Sequence, residues 1–152
     1  MNITPEQIHT LHAGIEADRL TAEYVFGWKW YWWAAVDGIH TWRRLVSPDR
    51  APHPSYRLWT LADGDIPIFN LELPAYSSDW SAMEQVVIQM RRQGWRWTLF
   101  CNEEEPWFVA SFSKPERFIG GKAKESDAPL AAVKAALLAL RAEQKPGNGG
   151  EE

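Results

Sequence analysis

The residues best suited to recognising a ligand are tryptophans and arginines that lie close together in one stretch of the chain. Trp28, Trp30 and Trp42 are followed directly by Arg43 and Arg44. A flat indole can stack on a base, and a guanidinium can form two parallel hydrogen bonds to a phosphate. This combination favours a binding pocket for a nucleotide-like anion.

Arg96 joins these candidates from a later stretch, where it alternates with Trp95 and Trp97. The run from Gly94 to Phe112 has aromatic residues at period two on both sides of an acidic turn, which predicts a β-hairpin. The same composition is also typical of an ordinary sheet with one polar face, whose tryptophans belong to the core. Aromatic and basic surfaces occur at protein interfaces as well, so both alternatives stay open.

The composition excludes several classes of protein. A net charge of −4 over 152 residues argues against a protein that coats nucleic acid, so we expect no extensive nucleic-acid binding. The single cysteine, Cys101, allows neither an intramolecular disulfide nor a cysteine-based zinc site. The start of the chain lacks the basic and apolar regions of a signal peptide, and no apolar run approaches the roughly 18 residues that span a bilayer. We expect a cytoplasmic protein without a membrane partner.

One set of possible metal ligands lies near the start of the chain. His9, His12 and Glu16 are spaced so that they share one face of a helix. Gly14 interrupts that helix, so we interpret the three as solvated residues and expect no metal and no cofactor. The sequence contains no nucleophile elbow, P-loop or dinucleotide fingerprint. We therefore expect no catalytic residues and a protein that is not an enzyme.

Helical periodicity predicts helices at the start, in the middle and at the end of the chain. Thr4 and Gln7 form a capping box, and a second helical piece, Glu16 to Phe26, is expected to turn Asp18 and Glu23 outward. Ser78, Asp79 or Ser81 caps the middle helix. The apolar stripes of the last two helices are expected to be buried against a sheet: Met83, Val86, Val87, Met90, Leu130, Val133, Leu137 and Leu140.

Period-two runs predict the strands that precede the hairpin, namely Trp28–Val36, Ile39–Val46, Tyr56–Leu61 and Ile66–Leu73. The polar stretch Lys114–Glu125, with two adjacent glycines, predicts a connection without regular structure. The whole pattern predicts an α+β fold, an antiparallel sheet packed with helices. It forms a single domain over residues 1–144, and the Gly-rich residues 145–152 form a flexible tail.

Three segments carry a resemblance to a known family. Leu73–Leu99 opens with Leu-Pro-Ala-Tyr-Ser-Ser-Asp-Trp, and Ala128–Leu138 reads Ala-Pro-Leu-Ala-Ala-Val-Lys-Ala-Ala-Leu-Leu. Leu11–Trp28 ends in Val-Phe-Gly-Trp. In this order they resemble the phage ABA sandwich domain, a family of small phage and prophage proteins. The resemblance implies an α-β-α sandwich-like arrangement and brings no catalytic residue set.

Together, the resemblance and the Trp/Arg segment predict a non-enzymatic phage or prophage accessory protein that binds a ligand in the cytoplasm of the host cell. In its sharpest form it is a sponge that sequesters a nucleotide immune signal, a counter-defence role. The expected partner is a nucleotide-like small molecule or a host protein. The alternative is a protein-interaction module, as a monomer or a homo-oligomer, that inhibits or regulates a host protein.

Overall fold

The fold was established from a computed structural model of the chain. It describes residues 1–34, 41–49, 56–58, 73–102 and 104–144. For residues 32–34, 41–44 and 56–58 it describes the backbone only. Two expectations fall outside these ranges: the strand Ile66–Leu73, apart from its last residue, and the flexible tail at 145–152.

Four helices lie in the described part of the chain: α1 (Pro5–His9), α2 (Ile15–Tyr24), α3 (Trp80–Arg92) and α4 (Ala128–Gln144). The capping box predicted at the start of α1 is present, with Thr4 and Gln7 exchanging hydrogen bonds of 2.8 and 3.1 Å. Gly14 separates α1 from α2, as predicted. Asp79 is the residue that caps α3, accepting a hydrogen bond from the backbone N–H of Ser81.

The strands form two antiparallel sheets of three described strands each, where the sequence suggested one sheet. The first sheet has the order β2-β1-β3, from β1 (Lys29–Ala34), β2 (Thr41–Val46) and β3 (Tyr56–Leu58). The second sheet has the order β4-β5-β6, from β4 (Arg96–Asn102), β5 (Glu105–Lys114) and β6 (Ile119–Glu125). β4 and β5 are the predicted hairpin, with Trp97 directly opposite Phe112.

The sequence-based prediction was wrong for β6, which was expected to be an irregular connection. Gly121 and Ala123 alternate with Lys122 and Lys124 along this strand, so small residues face α4 and lysines face solvent. A Cβ atom on Gly121 would lie 2.3 Å from the backbone oxygen of Ala135. The glycine therefore permits close approach of α4. Because glycine has no side chain, the strand also lacks an apolar residue at the position where alternation would have indicated a buried side.

The core lies between the second sheet and a helical layer centred on α4, which contacts β5, β6 and each of the other three helices. Phe112 from the sheet and Val86, Met90 and Leu137 from the helices are fully buried. The helix residues predicted to be buried are buried, except Val87, which is half-buried. The α+β class, with helices packed on a sheet, is thus confirmed.

The expectation that two carboxylates of α2 face solvent was wrong. Asp18 is only 7% exposed and accepts hydrogen bonds from the backbone N–H and the hydroxyl of Ser77, at 2.8 and 2.7 Å. Glu23 is half-buried between Arg19 and the indole of Trp30. Helical periodicity missed them because the chain segment before α3 and the strand β1 both pack on the polar side of α2.

In the described residues, no helix is long and apolar enough to cross a bilayer.

Candidate functional site

The tryptophans at the start of the predicted Trp/Arg site lie in or against the core. Trp30 is 5% exposed, and its indole N–H donates a hydrogen bond to the Glu23 carboxylate. Trp28 is half-buried and packs against the buried residues. A base cannot stack on an indole whose faces are already covered. For Trp30, the geometry matches the core alternative that the sequence left open.

The next three candidates are placed by the backbone of β2. In the register of the first sheet, Trp42 lies across from Trp33, and Arg43 lies across from Trp32. Arg44 lies across from Tyr31. Their side chains fall outside the described part of the structure, so their role in ligand binding stays a prediction.

Arg96, the last candidate, is exposed on β4 and so belongs to the second sheet, whereas the other five belong to the first sheet or the approach to it. Its side chain makes no ion pair with any described residue. Its neighbours across the sheet are Ser113 on β5 and Gly120 on β6.

Arg96 lies on a surface of the second sheet that we call the open face. α3 and α4 pack on one face of the second sheet, and α1 and α2 contact α4. The opposite face of the sheet points away from α3 and α4. Alternation along the strands and the observed register place ten residues on that opposite face. They are Arg96, Thr98, Phe100, Trp107, Val109, Ser111, Ser113, Gly120, Lys122 and Lys124.

Two aromatic rings stand on the open face. Phe100 is 64% exposed and Trp107 is 41% exposed. Phe100 lies directly across from Val109, and Trp107 precedes Val109 by two residues on β5. The two rings therefore lie on adjacent strands of this face, and the β4–β5 ladder shifts its register just beyond the Cys101–Phe108 pair, beside Trp107.

Three cations accompany these rings. Lys122 and Lys124 lie on β6, and Arg96 lies on β4. The Lys124 ammonium is 5.2 Å from the centre of the Trp107 ring and 3.9 Å from the Glu105 carboxylate. Lys122, like Arg96, has no ion pair among the described residues. In a chain with a net charge of −4, this face is locally positive.

Two surface cavities border the second sheet. One, of about 390 Å³, lies at the end of the β4–β5 hairpin and is lined by Trp107, Phe108 and Glu105 among others. The other, of about 330 Å³, lies on the helix side of β4 between Trp80 and Trp97. Trp80 is 54% exposed, and its ring meets Phe108 edge-on at 5.9 Å. The first cavity adjoins the open face, and the second does not.

The possible metal ligands near the start of the chain are separated by the structure. His9 ends α1, His12 lies in the connection, and Glu16 lies in the first turn of α2. All three are exposed, and Glu16 pairs with Arg19 at 2.7 Å. Within the ranges that the structure describes, no group of three or more His, Cys, Asp or Glu residues is placed to hold a metal ion.

Sequence reasoning missed four residues of the open face: Phe100, Trp107, Lys122 and Lys124. A signal for the first two was present, because they occupy the sides of the predicted hairpin that alternate with the core residues. The signal for the lysines was lost because β6 was interpreted as a loop. Their exposure became recognisable only when the register placed β6 beside β5.

Comparison of the chain with models of protein families, with curated proteins and with solved structures finds no match. The resemblance to the phage ABA sandwich domain therefore rests on the three segments quoted above.

Proposed function

We propose that the protein binds a nucleotide on the open face of the second sheet and does not transform it. The observation that carries this proposal is the joint exposure of Phe100 and Trp107 beside three cations. Exposed aromatic rings on a sheet can stack bases, and cations near them can hold phosphate. The face therefore matches the two chemically different parts of a nucleotide.

Charge complementarity supports an anionic occupant. Arg96, Lys122 and Lys124 lie on the face, and the nearest described carboxylate is Glu105, at 3.9 Å from Lys124. A local positive field concentrates anions even on a protein whose net charge is negative. A long polyanion would meet the negative remainder of the chain, whereas a small nucleotide would meet only the face.

Binding without turnover agrees with the residue types on the face. General acid–base catalysis uses groups such as histidine or a carboxylate placed against the reacting atoms. The ten residues of the open face include no histidine and no carboxylate, and the nearest described carboxylate, Glu105, pairs with Lys124. A protein that binds a nucleotide and leaves it intact removes it from solution, which is the sequestering role predicted from the resemblance and the Trp/Arg segment together.

Calorimetric titration with ATP tests this proposal. Stacking on an aromatic residue contributes about 1–3 kcal/mol per base, so Trp107→Ala should weaken binding by roughly this amount. Trp80→Ala is the matched control, because Trp80 is similarly exposed but lies on the helix side. Chromatography of the nucleotide after incubation should recover it unchanged.

Two outcomes would overturn the proposal. Conversion of ATP to product by the wild type, lost in Trp107→Ala, would make the protein an enzyme. Failure of AMP, ADP and ATP all to bind would remove the nucleotide and favour the protein-interaction module.

A further inference from the structure

The arrangement of groups on the open face specifies more than a nucleotide in general. Resting on the function proposed above, we infer that the ligand is a nucleoside di- or triphosphate whose single base is held between Phe100 and Trp107. Its phosphates then extend along β6 over Lys124 and Lys122. The inference depends on the exposure of two rings on adjacent strands, the position of Lys124 and the number of cations.

The position of the rings fits one base. Phe100 and Trp107 lie on adjacent strands of the open face, and both are exposed. Each offers a flat apolar surface on which a base can stack. Val109, which is half-buried, lies directly across from Phe100 and two residues from Trp107.

The position of Lys124 argues against a second base on Trp107. The sheet order places β6 on the side of β5 away from β4. Lys124 projects from β6 over the Trp107 ring, with its ammonium 5.2 Å from the ring centre. One face of the indole is therefore occupied by a cation, and the face toward Phe100 is the one left for stacking.

The cations outnumber what a monophosphate requires. A phosphate monoester carries about 1.5–2 negative charges near neutral pH. Lys122 and Lys124 are two residues apart on the same face of β6, about 7 Å along the strand, and Arg96 adds a third charge at the far end. Because Lys122 has no ion pair among the described residues, it is available to a further phosphate, and Arg96 adds positive charge from β4 on the other side of β5.

The acidic end of the hairpin gives the ligand a direction. Glu104 and Glu105 border the cavity beside Trp107 at one end of the open face, and Arg96 lies toward the other. Phosphates would be repelled at the hairpin end and attracted along β6. The base therefore lies nearer the hairpin, and the phosphate chain runs away from it.

Calorimetric titrations with AMP, ADP, ATP and the linear dinucleotide pApA test the inference, with EDTA present so that only protein cations meet the phosphates. We expect ADP and ATP to bind at least tenfold more tightly than AMP, and pApA to bind no better than AMP. Lys122→Gln should abolish most of the gain from the added phosphates and leave AMP affinity within about twofold. Arg92→Gln, which removes an exposed cation on α3, should change none of the four affinities.

The two ring variants supply a second test that does not depend on the lysines. Phe100→Ala and Trp107→Ala should each weaken AMP and ATP by the same factor, about tenfold, because both rings contact the same base. Equal affinity for AMP and ATP, or tighter binding of pApA than of ADP, would overturn this inference and leave nucleotide binding intact. Failure of every probe to bind would overturn both this inference and the proposed function.

Discussion

At the scale of single residues, the buried polar side chains of α2 act as ties to other parts of the chain. Asp18 bonds to the backbone and hydroxyl of Ser77, whose hydroxyl also accepts a hydrogen bond of 2.9 Å from the N–H of Gly14. Glu23 joins Arg19 to the indole of Trp30. A buried donor that loses its acceptor costs free energy, so these carboxylates fix the segments around α2.

Asp18 allows a prediction that separates its hydrogen bonds from its charge. Asp18→Ala leaves the N–H and hydroxyl of buried Ser77 without this acceptor and should lower the free energy of unfolding by about 1–3 kcal/mol. Asp18→Asn keeps an acceptor oxygen in place and should cost less. Urea denaturation of both variants measures the difference. Equal destabilisation by the two substitutions would contradict the hydrogen-bonding role.

At the scale of secondary structure, the sequence was informative wherever an apolar pattern was complete. The stripe of Val86, Met90 and Leu137 predicted α3 and α4 and their burial, and the alternation around Trp97 and Phe112 predicted the central hairpin. The pattern failed at β6, where the residue facing α4 is Gly121, which has no side chain to count.

The same limit explains what was missed in the candidate site. Phe100 and Trp107 could be found from alternation within the hairpin, since each lies on the side opposite the core residues. The neighbours Lys122 and Lys124 could not, because cross-strand register depends on the packing of β6 under α4 and not on local sequence. Burial of Trp30 likewise depends on distant packing, so its residue type alone did not separate core from pocket.

The close packing of α4 on β6 at Gly121 gives a testable prediction about stability. A Cβ atom there would lie 2.3 Å from backbone atoms of both Ala135 and Ala139 in α4, and backbone cannot move aside as a flexible side chain can. Gly121→Ala should therefore lower the free energy of unfolding by about 1–3 kcal/mol or more, since 1–3 kcal/mol is the usual range for overpacked interiors. Thermal or urea denaturation measures this loss.

The matched control is the neighbouring exposed residue of the same strand. Lys122→Ala changes the opposite face of β6 and should alter stability by less than about 0.5 kcal/mol. If Gly121→Ala were as stable as Lys122→Ala, the close packing of α4 on β6 would be disproved.

At the scale of the whole molecule, one continuous cluster of buried residues links the first sheet, the helices and the second sheet. Trp30 and Leu45 of the first sheet belong to the same cluster as Phe112 of the second sheet and Leu137 of α4. α2 lies within this connected core through Ala17, Leu20 and Ala22. Protonation of the Asp18 and Glu23 carboxyls on α2 is therefore expected to be linked to unfolding of this connected core.

This linkage predicts how stability depends on pH. Burial raises the pKa of the Asp18 carboxyl above its ordinary value of 3.8, against the opposing effect of hydrogen bonds from Ser77. Burial likewise raises the pKa of the Glu23 carboxyl above 4.5, against the hydrogen bond from Trp30 and the charge of Arg19. In the pH range between the ordinary pKa values and the raised ones, the folded protein binds more protons than the unfolded chain. The contribution of the two groups to the free energy of unfolding must therefore decrease as pH rises through that range.

The double variant Asp18→Asn/Glu23→Gln removes both titrations and tests the sign directly. Urea denaturation from about pH 4 to pH 7 should show the stability of the wild type, relative to this variant, falling as pH rises, because desolvated carboxylates form only in the wild type. Gln85→Ala, a neutral change at an exposed position of α3, should differ from the wild type by a constant amount over the same range. A wild-type advantage that grew with pH would mean that hydrogen bonds from Ser77 and Trp30 outweigh desolvation at these two carboxyls.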